Sequence, residues 1–200
     1  GGTVVGSWTA SSLGREPEGL TLDGYAGRND LWVAQRDRKI YWYFNGALTT
    51  TGTFTATETF APAMSGNLKG IVTDGTYLWV VTEGATDYVY RFTIVRDTTG
   101  QPTGLTQSGL WTLATANSKP TGITLAPTGS STYADVLWIV DESTDTVYTY
   151  GNGKTLTSGT GTITGSFNLG SGNLAPQGIA DPMAEAVAAK GGGADLPGPR

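Results

Sequence analysis

The chain has 200 residues and a mass of 20.8 kDa, enough to bury roughly 70% of its extended surface; 38% of the residues are hydrophobic, 14% are charged, 30 are glycine and about one in six is threonine, a mixture suited to strands and turns rather than to a helical bundle. The absence of cysteine and histidine removes disulfides, thiolate metal sites, cysteine nucleophiles and the commonest general base and metal ligand. A net charge of -5 with a pI near 4.6 leaves no basic footprint for a phosphate backbone, and there is no run of about 18 apolar residues to insert in a membrane.

In chain order, the first candidate element surrounds Trp8. An aromatic residue stands 10 or 11 positions ahead of a glycine that opens each of four similar stretches: Trp8 before Gly19, Phe60 before Gly70, Trp111 before Gly122 and Phe167 before Gly178. The glycines are spaced by 51, 52 and 56 residues, and a fixed period of this size signals a repeat architecture. Gly19 to Asp23, Gly70 to Asp74, Gly122 to Leu125 and Gly178 to Asp181 read as first strands. Leu31-Trp32-Val33, Leu78-Trp79-Val80 and Leu137-Trp138-Ile139 read as second strands buried on both faces. Ile40-Tyr41-Trp42-Tyr43, Val89-Tyr90-Arg91-Phe92 and Val147-Tyr148-Thr149-Tyr150 alternate at period two and read as third strands. The aromatics ahead of the glycines mark fourth strands.

Turn chemistry supports this division. Asp23-Gly24 and Asp74-Gly75 fall between first and second strands, and Asn45-Gly46 and Asn152-Gly153 between third and fourth, where tight hairpins favour such pairs. Loop insertions are expected at Asp97 to Thr106 and Pro127 to Ala134. The predicted units are residues 1–16, the last strand of a preceding repeat; 17–68, 69–120 and 121–175, three whole repeats; 176–182, the start of a further one; and 183–200, a short helix and flexible tail.

Four antiparallel strands in 51 to 56 residues is the size of a β-propeller blade, so the predicted fold is all-β, with three whole blades, partial ones at either end and an incomplete ring within this chain. The succession Pro-x-Gly-Ile, Leu-Trp-Val-Val-Asp, Val-Tyr-x-Tyr and Ser-Phe-x-Leu resembles NHL-like propeller repeats over residues 4 to 182. Pro176-Gln177-Gly178-Ile179-Ala180-Asp181-Pro182 is similar to repeat junctions of long bacterial secreted and surface proteins. The first repeat departs from the pattern, with Ala34-Gln35-Arg36 where Val-Asp is expected after Trp32. The resemblance implies an extracellular or cell-surface setting, and a ligand-binding rim made of the second-to-third and fourth-to-first connections.

A closed ring needs four or more blades. A bare blade face of about 300 Å² forgoes about 8 kcal/mol at about 25 cal/mol per Å², so the two ends are expected to meet the rest of a longer chain, a second copy or other subunits.

On the implied rim the candidate contact residues are Arg36, Arg38, Glu83, Asp87, Asp141 and Asp145. Carboxylates of adjacent blades there suggest a hard cation such as Ca²⁺, but no compact cation-binding spacing is present. Asp37, Asp87 and Asp145 are instead expected to hold their own turns by hydrogen bonds to nearby amides. Asp141-Glu142 is the densest acidic pair, yet neighbours in a strand point to opposite faces. Trp32, Trp79 and Trp138 recur in the repeat frame and read as core, whereas Trp42 and Tyr88 lie off it and read as an exposed aromatic patch. The positions before the repeat glycines, Glu18, Lys69, Thr121 and Gln177, make a poor cation site because Lys69 would point into it.

The sequence therefore predicts a non-enzymatic module without catalytic residues, metal or cofactor. It is expected to serve as a structural platform or one contacting protein or glycan, to associate through its blade ends, and to bind no nucleic acid. A calcium-dependent propeller hydrolase of lactonase type, and a subunit of a surface lattice or filament, are the alternatives.

Overall fold

The computed structural model describes residues 3–14, 16–126 and 134–180. The expected tail at 183–200, most of the insertion at 127–134 and the last two residues of the 176–182 segment lie outside the described residues. Three four-stranded antiparallel sheets follow one another along the chain. Sheet 1 contains β2 (Pro17–Asp23), β3 (Asp30–Gln35), β4 (Ile40–Tyr43) and β6 (Glu58–Phe60). Sheet 2 contains β7 (Asn67–Thr73), β8 (Tyr77–Glu83), β9 (Tyr88–Arg96) and β10 (Pro102–Thr112). Sheet 3 contains β11 (Pro120–Leu125), β12 (Leu137–Asp141), β13 (Thr146–Tyr150) and β14 (Ile163–Asn168). A short parallel pair, β1 (Thr9–Ala10) with β5 (Thr53–Phe54), lies beside sheet 1.

Each sheet is a meander whose strands pair in sequence order, as the repeat predicts. Between sheets 1 and 2, Trp32, Ala34, Ile40 and Trp42 pack on Ile71, Leu78, Val80 and Phe92. Val72, Trp79, Val81 and Trp111 of sheet 2 pack on Ile123, Leu137, Ile139 and Tyr150 of sheet 3. Both faces of the sheet 2 core are thereby removed from water, which explains the continuous apolar run of β8.

The repeat glycines have a specific steric role. A Cβ on Gly19 would sit 3.0 Å from the Cα of Gly70, one on Gly70 would sit 3.0 Å from the Cα of Gly122, and one on Gly122 would sit 2.8 Å from the Cα of Gly178. The innermost segments therefore approach backbone to backbone along one line, and residues 176–180 lie alongside β11. A β-bulge precedes the glycine in all three first strands, at Pro17/Gly19, Leu68/Gly70 and Pro120/Gly122. The bulge admits one extra residue, Glu18, Lys69 or Thr121, and turns it toward the axis.

Trp8, expected in the last strand of a preceding repeat, lies outside the three four-stranded sheets: it immediately precedes β1 and packs on Tyr43 and Phe54. Several local expectations are corrected. The Asn-Gly pairs do not make tight hairpins. Asn45, at φ 53°, leads into a short 3₁₀ turn, and the third and fourth strands are joined by excursions over residues 44–57 and 151–162. Conversely, the expected loop at Asp97 to Thr106 is half strand: β9 ends at Arg96 and β10 begins at Pro102, on either side of a tight turn closed by Asp97 N–H donating to the Gln101 carbonyl at 2.9 Å. Trp42 is fully buried and Tyr88 is half-buried against the same core, so they form no exposed aromatic patch. Trp138 is half-buried, because the outward face of sheet 3 has no further complete sheet packed on it among the described residues.

On the edge formed by the first-to-second turns, a buried ionic cluster joins sheets 1 and 2. Arg96 donates to Asp23 Oδ2 at 2.8 Å and to the Gly75 and Gly100 carbonyls at 2.9 and 3.0 Å. Trp32 Nε1 donates to the same Asp23 oxygen at 2.9 Å. Arg28 pairs with the fully buried Asp30 at 2.7 Å and reaches the Thr99 carbonyl. Among the described residues, the one ion pair at the matching junction between sheets 2 and 3 is Lys154 with Asp74 at 3.9 Å, both partly exposed, and Arg91 donates to the Lys154 carbonyl at 3.0 Å.

Two comparisons test these roles. Gly70→Ala is expected to lower stability by about 1–3 kcal/mol because neither backbone can yield without moving a sheet, while Gly24→Ala, with nothing within 4 Å of its Cβ, stays within about 0.5 kcal/mol of wild type; urea midpoints check both. Arg96→Met strands a buried carboxylate and is expected to cost about 3–5 kcal/mol, whereas Lys154→Met costs under about 1 kcal/mol. Equal losses in the two variants would remove the distinction between the junctions.

Candidate functional site

The edge opposite the ionic cluster carries the sequence-predicted contact residues, each bonded to its own turn or to a neighbouring segment. In the β3–β4 turn, Arg38 takes a positive φ of 71°, closed by its amide donating to the Gln35 carbonyl at 3.0 Å. Its guanidinium donates to the Met64 carbonyl at 3.2 Å, and Arg36 pairs with Glu16 at 3.2 Å on the surface. Lys39 pairs with Asp37 at 3.0 Å, whose hydrogen bond and charge hold the ammonium pKa above its ordinary value.

In the β8–β9 turn, Asp87 accepts the Gly84 amide at 2.9 Å, and Glu83 pairs with Lys69 at 3.1 Å. Burial pushes the Asp87 carboxyl up, with the charges of Glu83 and Asp141 adding to it against the Gly84 hydrogen bond. Asp87 of sheet 2 thus feels the charge of Asp141 on the neighbouring sheet. Among the described residues, however, no three acidic groups converge closely enough to hold a metal ion.

The β12–β13 turn is organised around Asp141. Its carboxylate is fully buried and accepts four hydrogen bonds: from the Lys119 amide at 2.7 Å, the Ser143 hydroxyl at 2.6 Å, and the Thr144 amide and hydroxyl at 2.9 and 3.0 Å. Burial opposes its charge, but these donors outweigh it and hold the carboxyl below its ordinary range. Asp141 therefore faces no partner, which corrects its reading as a contact residue. Asp145, at φ 49°, accepts the Ala175 amide at 2.8 Å and so anchors the connection that leaves sheet 3. Arg36, Arg38, Glu83, Asp87 and Asp145 remain at least partly accessible, distributed over three turns rather than gathered at one point.

The bulged residues on the first strands do gather. Glu18, Lys69 and Thr121 line an axial depression of about 340 Å³ together with the repeat glycines and the residues that follow them. Thr121 donates its hydroxyl to the Pro176 carbonyl at 2.6 Å, and Gln177 bonds back to the Ala175 carbonyl. Glu18 and Lys69 bring opposite charges to a lining that, beside Thr121, is glycine backbone and the apolar Leu20, Ile71, Ile123, Ile179 and Ala180, and no nucleophile–base pair is among its residues. The Asp23, Asp30, Arg28 and Arg96 cluster, absent from the sequence-based candidates, is the most strongly buried charged assembly among the described residues. Only its Asp-Gly turn was visible in the chain, because Arg96 lies 73 residues from Asp23.

No protein-family model matches the chain, and no curated protein matches it. Among solved structures, a protein from Bacteroides fragilis named "putative 6-phosphogluconolactonase" superposes with a TM-score of 0.53 at 16% identity, over 81% of this chain and 40% of that one. The chain thus spans two fifths of that neighbour's length. At this identity the likeness is one of fold: the protein has a propeller-like all-β fold built of four-stranded antiparallel sheets, and no ring closes among its described residues.

Because its folded pKa is lowered, Asp141 contributes stability that is present above the unfolded carboxyl range and lost as pH falls through the folded value. Asp141→Asn is expected to cost about 1–3 kcal/mol at neutral pH and to flatten the acid limb of the stability profile. Urea unfolding from pH 3 to 8 measures both effects. Parallel profiles for the two proteins would mean that the carboxylate is not held by these donors.

Proposed function

We propose that the chain is a repeat module of a propeller-type extracellular or cell-surface protein, acting as a structural or protein- or glycan-contacting platform without chemistry of its own. In this reading residues 17–68, 69–120 and 121–175 are NHL-like blades, residues 1–16 carry the last strand of a preceding blade and residues 176–182 begin a further one. The observation that carries it is the use made of the rim carboxylates. Asp37, Asp87, Asp141 and Asp145 each accept a backbone amide of a turn or connection, and Glu83 is paired with Lys69. A general base or nucleophile must instead present its oxygen to a substrate.

The second reading, a lactonase-like enzyme, draws on the name of the structural neighbour and would place its chemistry in the axial depression beside Glu18. Assays of the chain against a panel of lactones and esters, with and without calcium, separate the two. The expected result is no turnover above the buffer rate and a melting temperature unmoved by chelator, since a cation bound only to the folded state would raise it. Turnover abolished by Glu18→Gln would establish the lactonase reading.

A further inference from the structure

We propose that the free edge of β1 and the exposed face of sheet 1 receive the first three strands of a further repeat unit, carried by a longer form of this polypeptide, with β1 completing that unit as its fourth strand. The proposal rests on the repeat-module reading and adds the surface, the register and the nature of the occupant.

The molecule contains its own template for this joint. At the junction of sheets 2 and 3, the end of β10 lies across the loop that joins β13 to β14. Leu110 and Thr112 donate their amides to the Thr157 and Gly159 carbonyls at 3.0 and 2.9 Å. Beside sheet 1, Ser7 and Thr9 donate to the Thr50 and Gly52 carbonyls, both at 2.8 Å. Thr112 bridges Thr160 in parallel, as Thr9 pairs with Thr53. Gly159 and Gly52 share the left-handed conformation, at φ 85° and 86°. Trp111 meets Tyr150 at 5.2 Å and 52°, and Trp8 meets Tyr43 at 5.1 Å and 52°. A Cβ on Gly109 would crowd Thr157, and one on Gly6 would crowd Thr50. Residues 6–9 thus reproduce residues 109–112, atom for atom in their backbone bonding.

The two sites differ on the other side of the strand. In β10, Leu110, Trp111 and Thr112 pair with Tyr90, Val89 and Tyr88 of β9, whereas β1 pairs with β5 alone among the described residues. Between sheets 2 and 3, Val72, Trp79, Val81 and Val89 cover the face of sheet 3. The matching space on sheet 1 is an open apolar groove of about 430 Å³ between Trp8, Leu13, Pro17, Leu20, Leu31 and Val33. Ile71 and Ile123, one residue after their repeat glycines, are each 3% exposed; Leu20, in the same position, is 63% exposed. What fits is an antiparallel sheet whose third strand pairs with the Trp8–Ala10 edge and whose second strand carries a large apolar side chain in the place of Trp79.

The described residues of a second copy do not supply it. Sheets 1, 2 and 3 already own fourth strands β6, β10 and β14, and Phe60, Trp111 and Phe167 hold there the place that Trp8 must take. The occupant is a unit that lacks its own fourth strand.

The test grafts the template onto the whole chain. Residues 67–107 joined directly to Val5 put Trp8 four positions past the splice, where Trp111 stands in sheet 2; a control graft joined to Gly6 slips the register by one and reverses the faces. Both carry Leu20→Cys, in a protein with no other cysteine. The expected result is a monomeric in-register graft in which the introduced thiol reacts with maleimide at least tenfold more slowly than in the ungrafted chain, and the Trp8 and Ala10 amides become protected from hydrogen exchange, with neither effect in the slipped control. An in-register graft that is cut away by protease while the thiol stays reactive overturns the proposal. So does an ungrafted chain that is dimeric by light scattering with the same thiol already protected. A graft that docks on a chain found to hydrolyse a lactone would leave this joint standing while the platform reading falls, and a failed graft on an inactive chain would do the reverse.

Discussion

The contact on which the rest of the structure depends is the approach of the innermost strands at Gly19, Gly70 and Gly122, where one backbone meets the next at a distance that leaves no room for a Cβ. Close approach at one edge and large side chains at the other make each interface a wedge. The widest parts are filled by Trp32, Trp42, Trp79 and Trp111, all essentially without exposure. The bulge ahead of each glycine belongs to the same device: it lets the strand turn into the approach and sends Glu18, Lys69 and Thr121 toward the axis. A side chain in place of a repeat glycine would therefore open the wedge from its narrow end and loosen the aromatic packing beyond it.

The two edges of the sheets use polar groups differently. On one, Asp23 and Asp30 are buried with Arg96 and Arg28, and charge bonds sheet 1 to the turns of sheet 2. Such a pair adds little net stability over apolar packing, yet removing one partner is severe; its value is that Arg96 reaches carbonyls of two separate turns and so sets the angle between sheets. On the other edge, Asp87, Asp141 and Asp145 hold turns and connections of their own sheets. Asp141, committed to four donors, is a poor proton carrier, because those bonds favour its charged form.

The third-to-fourth connections divide the three sheets into two kinds. Sheet 2 closes with a tight turn at Asp97 to Gln101, while sheets 1 and 3 send a longer loop across the strand that precedes them. The longer loops clamp a neighbouring strand by backbone hydrogen bonds as well as by aromatic packing, so the joints at β1 and β10 are alike and the joint between sheets 1 and 2 relies instead on its ionic cluster.

The amino-acid sequence by itself determined the repeat, the four strands of each unit and most of the core, because strand periodicity and the recurrent glycine and tryptophan positions are local properties of the chain. It also marked the turn role of Asp37 and Asp87, which follows from the reach of a short carboxylate to amides two or three residues away, whereas Asp145, expected to do the same, accepts the distant Ala175 amide instead. What only the tertiary structure decided are the relations between units: that Trp42, off the repeat frame, is buried because Arg28 and sheet 2 cover it; that Asp141 is an interior group; that Asp23 meets Arg96; and that the strand after Trp8 lies parallel to β5 with Trp8 against Tyr43. These depend on which residue of the next sheet stands opposite, and spacing along one chain carries no record of a partner fixed by packing across an interface.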